Sequence, residues 1–375
     1  VQDKECDVES SVIESASFLR TGRVHGGNIY AAAERYGLDP KKIIDFSSNV
    51  NPLGSSSMAR RAARRSISII DRYPDPELTD LRRAIARYHG IKPEQVVCGN
   101  GSNGLIHVIP RIFRPSKVLI PIPTYSEYAS AAQDAGCKII SFLLKERDGF
   151  RVDPVEFSFA LKGVDMVFLC NPNNPTGQIV HKNEMIEIMN YVLQQGTTLV
   201  IDEAFMDFTE SESMIKEAVQ SSRIICLRAL TKFFGMPGLR IGYAVSDEAT
   251  IAGLRELQEP WTVNIPAERA AITALDDWGY IKKTQSLIAK ERDRVLSALR
   301  LLPGVETYPG SANFILFKLV SGDADMLRQK LGYRGMLVRD CSGFPGLDSR
   351  FIRIAIRTRR ENSRLIKALR ELLIL

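Results

Sequence analysis

The chain has 375 residues, of which 45% are hydrophobic and 25% charged, and its net charge is +6. That length accommodates two packed domains around a large core, and the basic residues alternate with acids instead of forming the stripe of a nucleic-acid binder. Six dispersed cysteines without a CxxC pair, and four dispersed histidines, exclude the spacing of a zinc site or a disulfide framework. No apolar run is long enough to span a bilayer and no basic-then-apolar leader opens the chain, so a cytoplasmic protein without membrane or metal is expected.

In chain order, a helix is predicted from about Pro76, with Leu78, Leu81, Ile85 and Tyr88 on one face and Gly90 as its stop. A short strand, Gln95–Cys98, leads into a glycine-rich turn. Nearly continuous apolar runs follow at Lys117–Pro123, Lys138–Leu144, Val164–Cys170, Thr198–Phe205, Arg223–Leu227 and Arg240–Val245. Such runs read as strands buried on both faces, and the helical stretches between them as crossovers of a mostly parallel sheet. After about Asp276 comes a long charged helix and then a mixed region, closed by a helix carrying Leu365, Leu369, Leu372 and Leu373. The expected division is a large domain over 51–275, and a smaller α+β domain built from 276–375 with the first 50 residues.

Four segments carry chemistry. Gly99-Asn100-Gly101-Ser102-Asn103-Gly104 has the letters of a dinucleotide fingerprint, but the following strand ends in Pro-Thr-Tyr rather than the acid that fingerprint needs. What survives is a turn opening a helix, which is either a phosphate cradle or only a turn. Asn171-Pro172-Asn173-Asn174-Pro175-Thr176-Gly177 follows a buried strand, at the edge where parallel sheets bind ligands, though Asn-Pro alone makes a turn. Asp202 interrupts an apolar strand end, and it needs a cationic partner if buried but none if it caps a helix. Lys232, among apolar neighbours, has the setting of an amine with a lowered pKa, and Arg240 stands eight residues later, able to grip a phosphate.

In this order the segments resemble fold-type I pyridoxal-5′-phosphate (PLP) enzymes of the aspartate-aminotransferase type, over nearly the whole chain. The resemblance implies an α/β fold with helices on both faces of the sheet, and a homodimer with shared active sites. It makes Lys232 the Schiff-base lysine and Asp202 the partner of the pyridine nitrogen. Asn174 would bond the ring hydroxyl and Tyr125 would stack on the ring. Gly101, Ser102, Asn103, Thr231 and Arg240 would hold the cofactor phosphate, joined by Tyr73 from the neighbouring subunit. Phe205 and Ala229 depart from the usual Tyr and Ser or Thr. Each departure removes a cofactor contact, a charge-assisted hydrogen bond being worth about 1.5–3 kcal/mol.

Within that fold type the chain is similar to the threonine-phosphate decarboxylases of cobalamin synthesis and, next, to histidinol-phosphate aminotransferases. The segments that favour the first are His25–Asn28, Asp45–Gly54, Pro260–Asn264, Arg339–Ser342 with Phe344 and Gly346, and Arg353–Arg357. The resemblance implies that Arg339 and Arg353, helped by His25, fix the phosphate of a small phosphorylated amino acid, with Asn49, Val50 and Asn174 orienting the rest. The implied reaction is decarboxylation of L-threonine O-3-phosphate to 1-aminopropan-2-ol O-phosphate. Serine O-phosphate is a close competitor, and a histidinol-phosphate aminotransferase is the alternative.

Overall fold

Each of the six apolar runs becomes a strand of one sheet in the computed structural model, which describes residues 26–373 and, for Val12–Glu14, the backbone. In chain order the strands are β1 (Val12–Glu14), β2 (Ile44–Asp45), β3 (Val96–Asn100), β4 (Lys117–Ile122), β5 (Lys138–Leu143), β6 (Met166–Cys170), β7 (Thr198–Asp202), β8 (Ile224–Ala229) and β9 (Ile241–Val245). The smaller region adds β10 (Val305–Tyr308), β11 (Phe314–Leu319), β12 (Met336–Leu337), β13 (Arg339–Asp340) and β14 (Phe351–Ala355). The large sheet runs β1-β5-β4-β6-β7-β8-β9-β3, with β5, β4, β6, β7 and β8 parallel. β9 and β3 close one edge antiparallel, and β1 pairs antiparallel along the other.

Burial on both faces explains the unbroken apolar runs. On β7, Leu199 and Ile201 enter one core cluster while Val200 enters the cluster on the opposite face. A third cluster lies over the antiparallel sheet β10-β11-β14-β13, beneath the long helix Trp278–Arg300 and the last helix Arg359–Leu373. β2 pairs in parallel with β12 as a separate two-stranded sheet, and the segment that follows it reaches the loop after β8 of the large sheet, where the Asn51 N–H donates to the Lys232 carbonyl.

Most element ends differ from the sequence reading by one to three residues, and three of the shifts have a clear local reason. β7 stops at Asp202 rather than Phe205, because the Ala204 N–H turns back to donate to Asp202 Oδ1 at 3.0 Å. β9 starts after Arg240, whose φ of +55° breaks the extended backbone. The first predicted helix spans Thr79–His89, its entry fixed by the Asp75 carboxylate accepting from the N–H groups of Glu77 and Thr79. It ends as expected at Gly90, with φ +61°. Among the described residues no helix is long and apolar enough to cross a membrane, and no three His, Cys, Asp or Glu side chains are grouped to hold a metal.

Candidate active site

The parallel strands β6, β7 and β8 end side by side, so the loops after them meet at one edge of the sheet. A cavity of about 560 Å³ opens there, and Lys232, Asp202 and Asn174 line it. Lys232 follows the last residue of β8 by three positions, and its carbonyl accepts from the Asn51 N–H at 3.0 Å. Its ammonium has no hydrogen-bond or ion-pair partner among the described residues. Burial pushes its pKa down to about 8; the charges of Arg353 and Arg240 push the same way, against Asp202 and Asp45. Such an amine is partly neutral near physiological pH, the form that attacks carbonyls.

Asp202 is buried at the end of β7, and its two oxygens are held by the Tyr128 hydroxyl at 2.6 Å and the Ala204 N–H at 3.0 Å. Burial raises its pKa, and the two hydrogen bonds and the Lys232 charge oppose that shift. A carboxylate so enclosed is completed by a cation presented from the cavity. Tyr128 is itself wedged between Phe168, stacked at 5.3 Å, and the edge of Tyr125 at 5.6 Å.

The opposite end of the cavity is built for an anion. The helix Gly101–Phe113 starts directly at the end of β3, and no side chain caps its first turn. The N–H groups of that turn have no intrahelical acceptor and carry the positive end of the helix dipole. Ser102, Asn103, Thr231 and Arg240 line the cavity around it. Two glycines let the backbones approach this closely. A Cβ on Gly242 would lie 2.3 Å from the Ser102 nitrogen, and one on Gly101 (φ +70°) would lie 2.8 Å from Arg240 Nη2.

The Asn-Pro loop is pinned by its own side chains. Asn171 exchanges hydrogen bonds with the backbone of Val180 at 2.8 and 2.9 Å, and Asn173 Nδ2 donates to the Pro123 carbonyl at 2.9 Å. Asn174 is thereby set facing the cavity, where its Oδ1 accepts from Arg353 Nη1.

Arg353 on β14 lies directly opposite Arg339 on β13, so both side chains project from one face into the cavity. Arg353 is only 6% exposed and forms no ion pair with a carboxylate among the described residues. Its Nη2 donates to the Ser47 carbonyl at 2.8 Å, and its buried Nε–H has no partner. Burial lowers its pKa to about 10 and that of Arg339 in the same direction. The Ser47 carbonyl is aimed by the Asp45 carboxylate, which accepts from the Ser47 N–H at 2.8 Å and hydroxyl at 2.6 Å. Arg357 Nη1 donates to the Asp45 carbonyl at 3.1 Å, so it braces this segment from behind.

Of the residues singled out in the sequence, Gly101, Ser102, Asn103, Tyr125, Asn174, Asp202, Thr231, Lys232 and Arg240 meet at this cavity, together with Asn49, Arg339 and Arg353. Asn49 is buried with its Oδ1 unpartnered. Val50 is not part of the lining, because its N–H turns back to the Ser48 carbonyl at 2.9 Å. Tyr73 is 79% exposed, away from this cavity, and stacks on Trp261 at 4.7 Å. His25 lies outside the described residues. Tyr128 was missed in the sequence. Its signal is an aromatic three positions after Tyr125, at the second position of the helix Glu127–Asp134. Ser47 acts through its carbonyl, for which a side-chain pattern offers no signal.

An uncapped helix start with an arginine, a lysine without partners and a buried carboxylate, facing one another across an aromatic-walled space, fit the phosphate, carbonyl and ring nitrogen of PLP. Comparison with known proteins agrees. Residues 41–369 match the family described as "Aminotransferase class I and II". The chain belongs to that family, and its fold is that of the fold-type I PLP-dependent enzymes. Threonine-phosphate decarboxylase of Salmonella typhimurium is 38% identical over 93% of this chain and 96% of its own length. Histidinol-phosphate aminotransferase 2 of Archaeoglobus fulgidus is 36% identical over 88% of this chain and 94% of its own. Among solved structures, L-threonine-O-3-phosphate decarboxylase of Porphyromonas gingivalis superposes with a TM-score of 0.79 at 28% identity, covering 88% of this chain and 99% of that one.

Proposed function

We propose that the protein decarboxylates L-threonine O-3-phosphate to 1-aminopropan-2-ol O-phosphate, with PLP as its cofactor. The observation that carries this reading is the pair Arg339 and Arg353, neighbours across two strands and lining the same cavity as the lysine, with no carboxylate paired to Arg353 among the described residues. Two adjacent guanidiniums suit a phosphate dianion, which each can grip through parallel N–H groups. A transaminase substrate needs an arginine for its α-carboxylate; with Arg353 engaged on phosphate, the carboxylate is free to be expelled.

When bound, PLP supplies a carbonyl that captures the substrate amine and a ring that accepts the electron pair left by the departing carboxylate. The uncapped helix turn, Thr231 and Arg240 would hold its phosphate, and Asp202 would keep the proton on its ring nitrogen. Tyr125 would cover its ring, and Asn174, which accepts from Arg353, would orient the ring relative to that arginine. Lys232 Nζ is placed to carry the proton returned to the carbon that loses CO2. Phe205 and Phe344 keep water from the reacting carbon.

The test is product analysis with phosphothreonine and no 2-oxo acid. Stoichiometric CO2 and the amino-alcohol phosphate are expected, with the cofactor unchanged. Strict dependence on 2-oxoglutarate would overturn the reading and favour an aminotransferase. Phosphoserine, shorter by one methyl, is expected to react less efficiently by roughly 10–200-fold.

The same reading makes the protein a homodimer. Tyr73, Trp261, Ile70 and Ile67 are all exposed on one chain, an apolar cluster that a second copy would cover. Tyr73 would then reach the partner's cofactor phosphate. Light scattering is expected to give twice the chain mass, and Tyr73→Phe to weaken cofactor binding by roughly 10- to 150-fold, the loss of one charge-assisted hydrogen bond.

A further inference from the structure

Among the described residues Arg353 is a buried cation without an acidic partner, and something else must hold it. Its Cζ lies 5.3 Å from the centroid of the Phe314 ring. Phe314 is fully buried, and the edge of Phe205 meets it at 5.1 Å and 79°. Ala204, Ala229 and Ala312 fill the remaining space in this small apolar cluster. Phe205 also borders the cavity, whereas Phe314 stands behind it.

We propose that Phe314, braced by Phe205, is a positioning residue that seats the guanidinium of Arg353 for the substrate's phosphate. A carboxylate in this place would neutralise Arg353 by taking its N–H edge, the same edge an anionic ligand needs. An aromatic ring stabilises the cation through the face of the guanidinium instead. Asn174 and the Ser47 carbonyl take one N–H from each terminal nitrogen, which leaves the second N–H of each for the ligand. Phe205 has a function in this arrangement that a tyrosine would not improve: its ring, not a hydroxyl, is what touches Phe314.

The inference rests on the phosphate reading of Arg339 and Arg353, and the experiment separates the two. Inorganic phosphate is titrated calorimetrically into the holoenzyme, in which the cofactor already fills its own cradle. The variants are Phe314→Leu, Phe314→Tyr, Arg353→Lys, and wild type carrying mono-, di- or trifluorophenylalanine at position 314. Fluorination drains the ring face while nearly preserving its shape, so it remains informative if Phe314→Leu does not fold. Phosphate affinity is expected to fall by roughly 5- to 30-fold in Phe314→Leu and stepwise through the fluorinated series, with Phe314→Tyr near wild type. The KM for phosphothreonine is expected to rise in parallel while kcat changes less, a split that general destabilisation would not produce. If Arg353→Lys weakens phosphate binding and the fluorinated series does not, the seat is overturned and the phosphate reading stands. If neither change weakens it, both are overturned together.

Discussion

Lys232→Met is expected to lower kcat by at least about 10³-fold and, at the same time, to stabilise the cofactor-free chain. The first effect follows from removing both the amine that takes up the cofactor and the group that returns the proton, since acid–base assistance alone contributes roughly 10²–10⁴-fold. Borohydride, which fixes an imine, should label wild type at Lys232 and leave the variant unlabelled. The second effect follows from burial. In the folded, cofactor-free protein the Lys232 pKa is pushed down to about 8, below its ordinary 10.5. Between those values the unfolded chain binds a proton that the folded chain has released, so stability rises with pH through that window. At pH 7 both states are protonated, and burying the charge costs on the order of 3 kcal/mol. Methionine removes that cost and most of the slope between pH 8 and 10.5. Urea denaturation at pH 7 and at pH 10 measures both. An unchanged slope in the variant would mean that burial does not lower the Lys232 pKa in the cofactor-free fold.

Asp202→Asn is expected to lower kcat by roughly 10²–10³-fold and to weaken cofactor binding. Asparagine keeps the shape and can still accept from the Ala204 N–H, so the local turn at the end of β7 survives. What is lost is the negative charge facing the cavity, and removing one partner of a buried ion pair costs about 3–5 kcal/mol. Without it the ring nitrogen is poorly protonated and the ring is a weaker electron sink. A cofactor absorbance that loses its pH dependence, together with the fall in kcat, would mark this cause. Near-wild-type turnover in Asp202→Asn would remove Asp202 from the mechanism. Tyr128→Phe should move in the same direction more mildly, since it deletes only the 2.6 Å hydrogen bond to Asp202 Oδ2.

The sequence was most legible where burial is symmetric. β4, β5, β6, β7, β8 and β9 lie inside the large sheet, apolar on both faces, and their runs stood out without any alternation. β2, β12 and β13 have two residues each, which is too short to leave a period, and they appear only once their partners are in place. β1 exists through pairing with the edge of β5 rather than through its own pattern. In the site, Lys232, Asp202 and Asn174 were found because each lies at or just beyond the end of a strand within a recognisable segment. Phe314 and the Ser47 carbonyl were not, because their roles arise from contacts with Arg353 across 39 and 306 positions of chain. Val50 was included by its neighbours in the segment, and the direction of its backbone excludes it.

The facing positions of Arg339 and Arg353 limit how this protein can diverge. Their pairing is a matter of register, and in a strand each residue advances the chain by about 3.3 Å and reverses the side of the next side chain. An insertion of one residue within β13 or β14 would turn one arginine to the far side of its sheet, and a shift of two would restore the side but separate the heads by roughly 7 Å. New substrate preferences in descendants of this chain should therefore arise by exchange of side chains at fixed chain length. Gains and losses of residues belong to the turn between Leu347 and Arg350, past the cavity-lining Phe344 and Pro345 and outside the two strands.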